Sequence, residues 1–143
     1  MAKTKTYDPK LIKSAFGPVI MSGFAEGTFI AISQNGDAFE KVRGADGSVD
    51  RVNKNANDYS ITFTLKRTSL TNDALSTIHN LDKRLNNGIN PFVLKDLNGT
   101  TVFAAQQAWI AKQPDPEESD SMPTREWRID TGEAECFIGG NIL

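Results

Sequence analysis

The chain has 143 residues, 38% hydrophobic and 24% charged, with a formal net charge of −2, which fits one domain able to bury a core without staples. No apolar run approaches the ~20 residues that a membrane-spanning helix needs, and the single cysteine, Cys136, excludes an internal disulfide. The near balance of charge argues against sequence-specific nucleic-acid binding, which relies on a basic patch, although residues 1–67 carry +3 and residues 68–143 carry −5.

Residues 1–9 are polar and end at Asp8-Pro9, the composition of an arm that orders only when something holds it. Charge without a following apolar stretch does not read as a secretory signal, so cytoplasmic synthesis is expected. Lys10–Met21 predicts a strand interrupted at Gly17-Pro18, because proline cannot donate to a sheet ladder. Gly23-Phe24-Ala25-Glu26-Gly27 lacks the Lys-Ser/Thr of a phosphate cradle and reads as a turn.

Asn35-Gly36 is the dipeptide that a type I′ turn favours. It predicts a hairpin of 28–33 with 37–43, with Ile32 beside Phe39, Ile30 beside Lys41, and Ser33, Ala31, Ala38 and Glu40 on the other face. Residues 44–57 are polar and turn-rich with almost no large apolar side chain, so a long exposed interaction loop is expected. Asp46, Asp50 and Asp58 lack the register of a calcium loop.

Tyr59, Ile61, Phe63 and Leu65 alternate with Ser60, Thr62, Thr64 and Lys66, the pattern of a strand with one buried face. Leu75, Ile78, Leu81 and Leu85 then recur at spacings of three and four, so one helix is expected, capped by Thr71 or Asn72 and ended by Asn86-Asn87-Gly88. A helix with one apolar stripe must lie on a sheet built from the rest of the chain. A second hairpin is expected at Asn98-Gly99, with Phe92, Leu94, Phe103 and Trp109 on the core face and Val93, Lys95, Ala104, Gln106 and Ala108 on a small, polar face.

Residues 113–123 form an acidic, proline-bounded loop, and adjacent exposed carboxylates such as Glu117 and Glu118 cannot hold a catalytic geometry. Thr124–Glu135 predicts a last strand with Trp127 and Ile129 facing inward. His79 is the only histidine, no Gly-x-Ser-x-Gly elbow occurs, and Cys136 lies in an apolar run. Metal, triad and thiol chemistry therefore lack their usual partners, and neither enzyme nor cofactor is expected. The fold class expected is mainly β (α+β), an antiparallel β-sandwich or barrel with one flanking helix.

Several segments together resemble the tail tube proteins of bacteriophages with contractile tails: Tyr7-Asp8-Pro9-Lys10, Gly23-Phe24-Ala25-Glu26-Gly27, the run from Asn57 to Leu65, Pro91-Phe92-Val93-Leu94-Lys95-Asp96, and Glu126-Trp127-Arg128-Ile129. The resemblance spans the whole chain, 1–143, as a single tail-tube domain. It implies hexameric rings in which strands from each subunit join one barrel around a channel, with the rings stacked into a tube that passes double-stranded DNA. The partners implied are other copies of the chain and the sheath, baseplate and tape-measure proteins, in a virion made in the host bacterial cytoplasm.

On that reading Ser33, Ala38, Glu40, Lys95, Gln106 and Ala108 are expected to face the channel, and Tyr7, Asp46, Asp50, Arg51, Asn53 and Lys54 to contact other subunits or rings. Two alternatives stay open at this point. One is a subunit of a type VI secretion-like tube, and the other is a monomeric ligand-binding β-barrel with Trp109 or Trp127 in its pocket.

Overall fold

The computed structural model describes residues 3–142, so residues 1 and 2 of the N-terminal arm and residue 143 lie outside the described residues. The elements run in chain order as β1 (Ile12–Phe16), β2 (Val19–Ile20), β3 (Ile30–Gln34), β4 (Phe39–Arg43), β5 (Val49–Asn53), β6 (Tyr59–Lys66), α1 (Thr71–Leu85), β7 (Asn90–Asp96), β8 (Val102–Lys112), β9 (Thr124–Thr131) and β10 (Ala134–Phe137). A 3-10 turn at Pro9–Leu11 precedes them. One antiparallel sheet has the order β2-β1-β7-β8-β9-β6-β3, with β10 also on β8, and β4 with β5 forms a separate two-stranded sheet.

The large sheet rolls around a single core. Phe16, Ile61, Phe63, Leu65, Phe92, Phe103, Trp127 and Ile129 all lie in it, nearly or wholly free of solvent. Each such side chain is stabilised by roughly 1.5–3 kcal/mol on leaving water. The alternation in 59–66 that predicts a strand is realised, with Ile61, Phe63 and Leu65 buried between partly covered neighbours. Residues 21–25 link the two margins of the sheet: Met21 N–H donates to Ser14 C=O on the β1 side, whereas Lys66 N–H donates to Gly23 C=O and Ala25 N–H to Thr64 C=O on the β6 side.

The break expected at Gly17-Pro18 is a tight reversal between β1 and β2, with Phe16 opposite Val19. Gly17 has φ +56°, and a Cβ there would lie 2.9 Å from the Asn90 side chain. Glycine alone meets both conditions without strain.

Helix α1 differs from expectation at both ends of its stripe. Its N-terminal residue pair does not cap it: the N-cap is Leu70, with no side-chain hydrogen bond. Thr71 N–H donates to Ser69 Oγ, while Asn72 bonds Lys66 and Ser69 carbonyls and accepts from Trp127 Nε1–H at 2.9 Å. The helix is thus pinned to the sheet through its first turn. Leu75 is fully buried and Ile78 packs on the core, but Leu85 is 63% exposed and Leu81 is also exposed. Only the first half of the helix reaches the sheet. The stop is as expected, with Asn86 left-handed at φ 54°.

The register of β7 with β8 agrees with the expected hairpin, since Leu94 faces Phe103, Val93 faces Ala104 and Phe92 faces Ala105. Its turn is longer than two residues, closed by Asp96 N–H to Thr101 C=O and by Asn98 N–H to Asp96 Oδ1. Beyond Ala105 the pairing shifts, with Asn90 opposite Ala108. A bulge at Gln106-Gln107 leaves both side chains exposed and reverses the in-and-out phase of the strand beyond it. Ala108 and Ile110 therefore point into the core, and Trp109, expected there, is only partly covered. The partner strand bends at the same level. Gly132 N–H donates to Gln107 C=O, and the chain changes from β9 to β10 across Gly132-Glu133.

Candidate functional site

The feature without a role in the core is the β4–β5 hairpin. All ten of its strand residues are exposed. The expected pairing across Asn35-Gly36 does not form: β3 pairs with β6, placing Ile32 opposite Ile61 and Ile30 opposite Phe63, whereas Phe39 stands opposite Asn53. Two isoleucines gain more from the core than from a polar neighbour. Asn35 is also diverted, since its N–H and side-chain amide bond Asp58 and its Oδ1 accepts from Ser60. Of the Asn-Gly pair only Gly36 has positive φ, so a type I′ turn is excluded.

The expected long loop at 44–57 is corrected in the same way, because it contains β5. The reversal lies at 44–48, where Gly44 N–H donates to Ser48 C=O and Gly47 takes φ +86°. Asp46 accepts from the N–H and Oγ–H of Ser48, which holds its carboxyl below the ordinary range. The polar composition conceals the strand, since a hairpin with no buried face needs no apolar alternation.

The structure gathers Asp46, Asp50, Arg51, Asn53 and Lys54 on this one hairpin, and Glu40 joins them through an ion pair with Lys54 at 3.2 Å. Tyr7 is elsewhere, exposed on the arm. That arm is tied down at Thr6, whose carbonyl accepts from the side-chain amides of Asn98 and Asn141.

The residues expected to share a channel wall fall apart. Ser33 lies on β3 opposite Ser60, Ala38 and Glu40 belong to the hairpin region, and Lys95 and Gln106 lie on the exposed face of β7 and β8. Ala108 is 0% exposed in the core, so its channel assignment is corrected by the phase change at the bulge. Around Lys95 and Gln106 the outer sheet surface carries Lys13, Ala104 and Glu135 in adjacent strands. Glu133, Glu135 and the two glutamines line an open groove there.

At the other end of β6, residues 113–123 form no helix or strand. The Glu118 carboxylate is clamped by Arg67 Nε and Arg125 Nη2, both at 2.8 Å, and the Arg67 contact, followed by that of Arg125, holds it below its ordinary range. Among the described residues no group of three or more His, Cys, Asp or Glu side chains is placed to hold a metal. Burial raises the Cys136 thiol and lowers the His79 imidazole, the latter with a smaller contribution from Lys83. Trp127, offered by the ligand-binding alternative as a pocket wall, is 2% exposed and bonded to Asn72.

Comparison with known proteins gives a consistent result. The sequence model of the family described as Bacteriophage PhiTE tail tube protein matches residues 14–139. Structural protein ORF10 of Pseudomonas phage KPP10 is 27% identical over 147 residues, with 97% of this chain and 85% of the relative covered. Among solved structures, a chain of the virion of a native gene transfer agent particle superimposes with TM-score 0.62 at 12% identity, covering 93% of this chain and 100% of that one. A chain of the sheath/tube terminator of the extracellular contractile injection system PVC gives 0.60 at 15% identity, with 96% and 100% covered. One from the PVC sheath-tube complex in the extended state gives 0.58 at 11%, with 96% and 93% covered. These three share the fold.

Proposed function

The chain belongs to the bacteriophage PhiTE tail tube protein family, and from that premise we propose how its surfaces serve a tube. The protein is a structural subunit of the phage tail tube. Membership over residues 14–139 carries this reading, and the phage family favours it over a secretion-system tube or a monomeric ligand-binding barrel.

In our reading, copies of the chain form hexameric rings that stack, and the sheath, baseplate and tape-measure proteins meet this tube in a contractile tail. The injection-system neighbours, which come from sheath-tube and terminator assemblies, support that choice. The described residues act as one domain, with residues 1–9 as the arm. Closing strands into a ring would cover sheet margins that a free monomer leaves unpaired. The exposed face holding Lys95 and Gln106 is the channel wall, a mixture of small, cationic and anionic side chains that would let double-stranded DNA slide without adhering. The hairpin bearing Asp46, Asp50, Arg51, Asn53 and Lys54, together with Tyr7, supplies contacts between subunits or rings. No step of this role needs catalysis or a cofactor.

Negative-stain electron microscopy of the purified protein at high concentration tests the reading. Rings or tubes are expected. A monomer at every concentration, salt and pH would overturn it.

A further inference from the structure

We propose that one face of the β4–β5 hairpin seats on the acidic 113–123 segment of a second copy of this chain, an inference that rests on the tube reading and gives the stack its direction. In a two-stranded ribbon, residues on one face alternate along each strand and face each other across the pair. The observed register therefore places Phe39, Lys41, Arg43, Val49, Arg51 and Asn53 on one face and Glu40, Val42, Asp50 and Val52 on the other. The first face carries three cations and no anion. Arg51 lies over the Phe39 ring at 4.2 Å, as shared facing requires.

This face is poorly satisfied by its own chain. Lys41 stands directly opposite Arg51, with Arg43 the next residue of β4 on the same face, and like charges across a strand pair are destabilising. An isolated two-stranded hairpin is at best marginal in water, and this one exposes Phe39 by 46% and Val49 by 53%. Among the described residues, none of the three cations has an ion-pair partner. An occupant that is both anionic and partly apolar would remove the repulsion and cover the two side chains.

The 113–123 segment has that chemistry. It holds Asp115, Glu117, Glu118 and Asp120 with Pro114, Pro116 and Met122, and no Lys or Arg. Arg67 and Arg125 fasten Glu118, leaving Asp115, Glu117 and Asp120 without an ion pair among the described residues. Met122 is 62% exposed.

The two surfaces sit at opposite ends of the same strand. Asn35 N–H donates to Asp58 C=O at the start of β6, where the hairpin departs, whereas Arg67 N–H donates to Pro123 C=O just past its end. The run from Asp58 to Arg67 sets these two attachment points roughly 30 Å apart, at ~3.3 Å per residue, and among the described residues the hairpin's cations do not pair with the segment of their own chain. A second copy displaced along the strand direction can. Such a contact joins two different patches head to tail and propagates from copy to copy, which fits stacking of successive rings.

Charge reversal with rescue tests this. Lys41→Glu, Arg43→Glu and Arg51→Glu together are expected to raise the concentration at half-assembly, read by sedimentation and electron microscopy, about 100-fold or more, since juxtaposed like charges cost several kcal/mol. Asp115→Lys, Glu117→Lys and Asp120→Lys together should do the same. An equimolar mixture of the two variants, or all six changes in one chain, should return assembly to near the wild-type concentration, which also shows that the variants fold. Wild-type assembly by the hairpin variant, or loss without rescue in the mixture, would overturn this contact while leaving the tube reading intact. A wild-type monomer under all conditions would overturn both. Tubes that form only on added double-stranded DNA, with DNA binding lost in the hairpin variant, would make phosphate the occupant instead.

Discussion

Strands β6 and β4 are both antiparallel ribbons, yet one is buried on a face along its whole length and the other is exposed at every residue. Strand β6 lies between β3 and β9 in the large sheet, and its inward side chains Ile61, Phe63 and Leu65 are fully buried in the common core, so burial outweighs the entropy of ordering them. Among the described residues β4 pairs with β5 alone, and its order rests on ladder bonds, the 44–48 reversal and the Glu40–Lys54 pair. The difference separates what makes the subunit fold from what is available to other copies. The second region is free of core packing, so its composition can follow a partner.

Substitutions should divide along that line. The largest stability effect is expected for Phe63→Ala, which empties a fully buried site opposite Ile30 and Trp127 and should cost about 3–5 kcal/mol by denaturant unfolding. Replacing 39–53 by a short Gly/Ser linker should leave the unfolding free energy within roughly 1 kcal/mol, while assembly is lost. A cost as large as that of Phe63→Ala would show that the hairpin belongs to the folding unit.

Smaller effects sharpen the boundary. Gly17→Ala puts a Cβ against Asn90 at a left-handed φ and should cost about 1–3 kcal/mol by the same assay. Asn72→Ala removes the acceptor of Trp127 Nε1–H, with an expected loss of about 1–3 kcal/mol and a shift in tryptophan fluorescence.

The smallest effect concerns pH. Burial, then Lys83, lowers the His79 imidazole below 6.5, and among the described residues its Nδ1 has no hydrogen-bond partner. A lowered folded value means that the unfolded chain takes up the proton first, so stability is full above 6.5 and falls as the pH drops through that value toward the folded one. His79→Asn should flatten the decline in unfolding midpoint between neutral and mildly acidic pH. An unchanged slope would assign the decline to other groups.

Much of the core is legible in the chain because its signal is local. The period-2 run at 59–66, the stop at Asn86 and the β7–β8 register follow from side-chain alternation and turn chemistry. The features that escape depend on the opposing strand. The Gln106-Gln107 bulge moves Ala108 inward and Trp109 outward, and nothing in the run Ala104–Trp109 marks where an extra residue enters. The first Asn-Gly pair misleads because Asp58 and Ser60 capture Asn35 from a distance. The helix stripe extends over the full length of α1, although the sheet supports only its first half. Of the candidate surfaces, the hairpin residues are expected together but as a loop, and the channel residues are scattered by the wrong hairpin pairing.

Amide hydrogen exchange on free subunits and assembled tubes tests most directly the division between a folding core and an assembly hairpin. Amides of Tyr59–Lys66 should be protected in both states, whereas those of Phe39–Arg43 and Val49–Asn53 should exchange quickly in the free subunit and become strongly protected in tubes. Hairpin amides that exchange as fast in tubes as in free subunits would contradict the account.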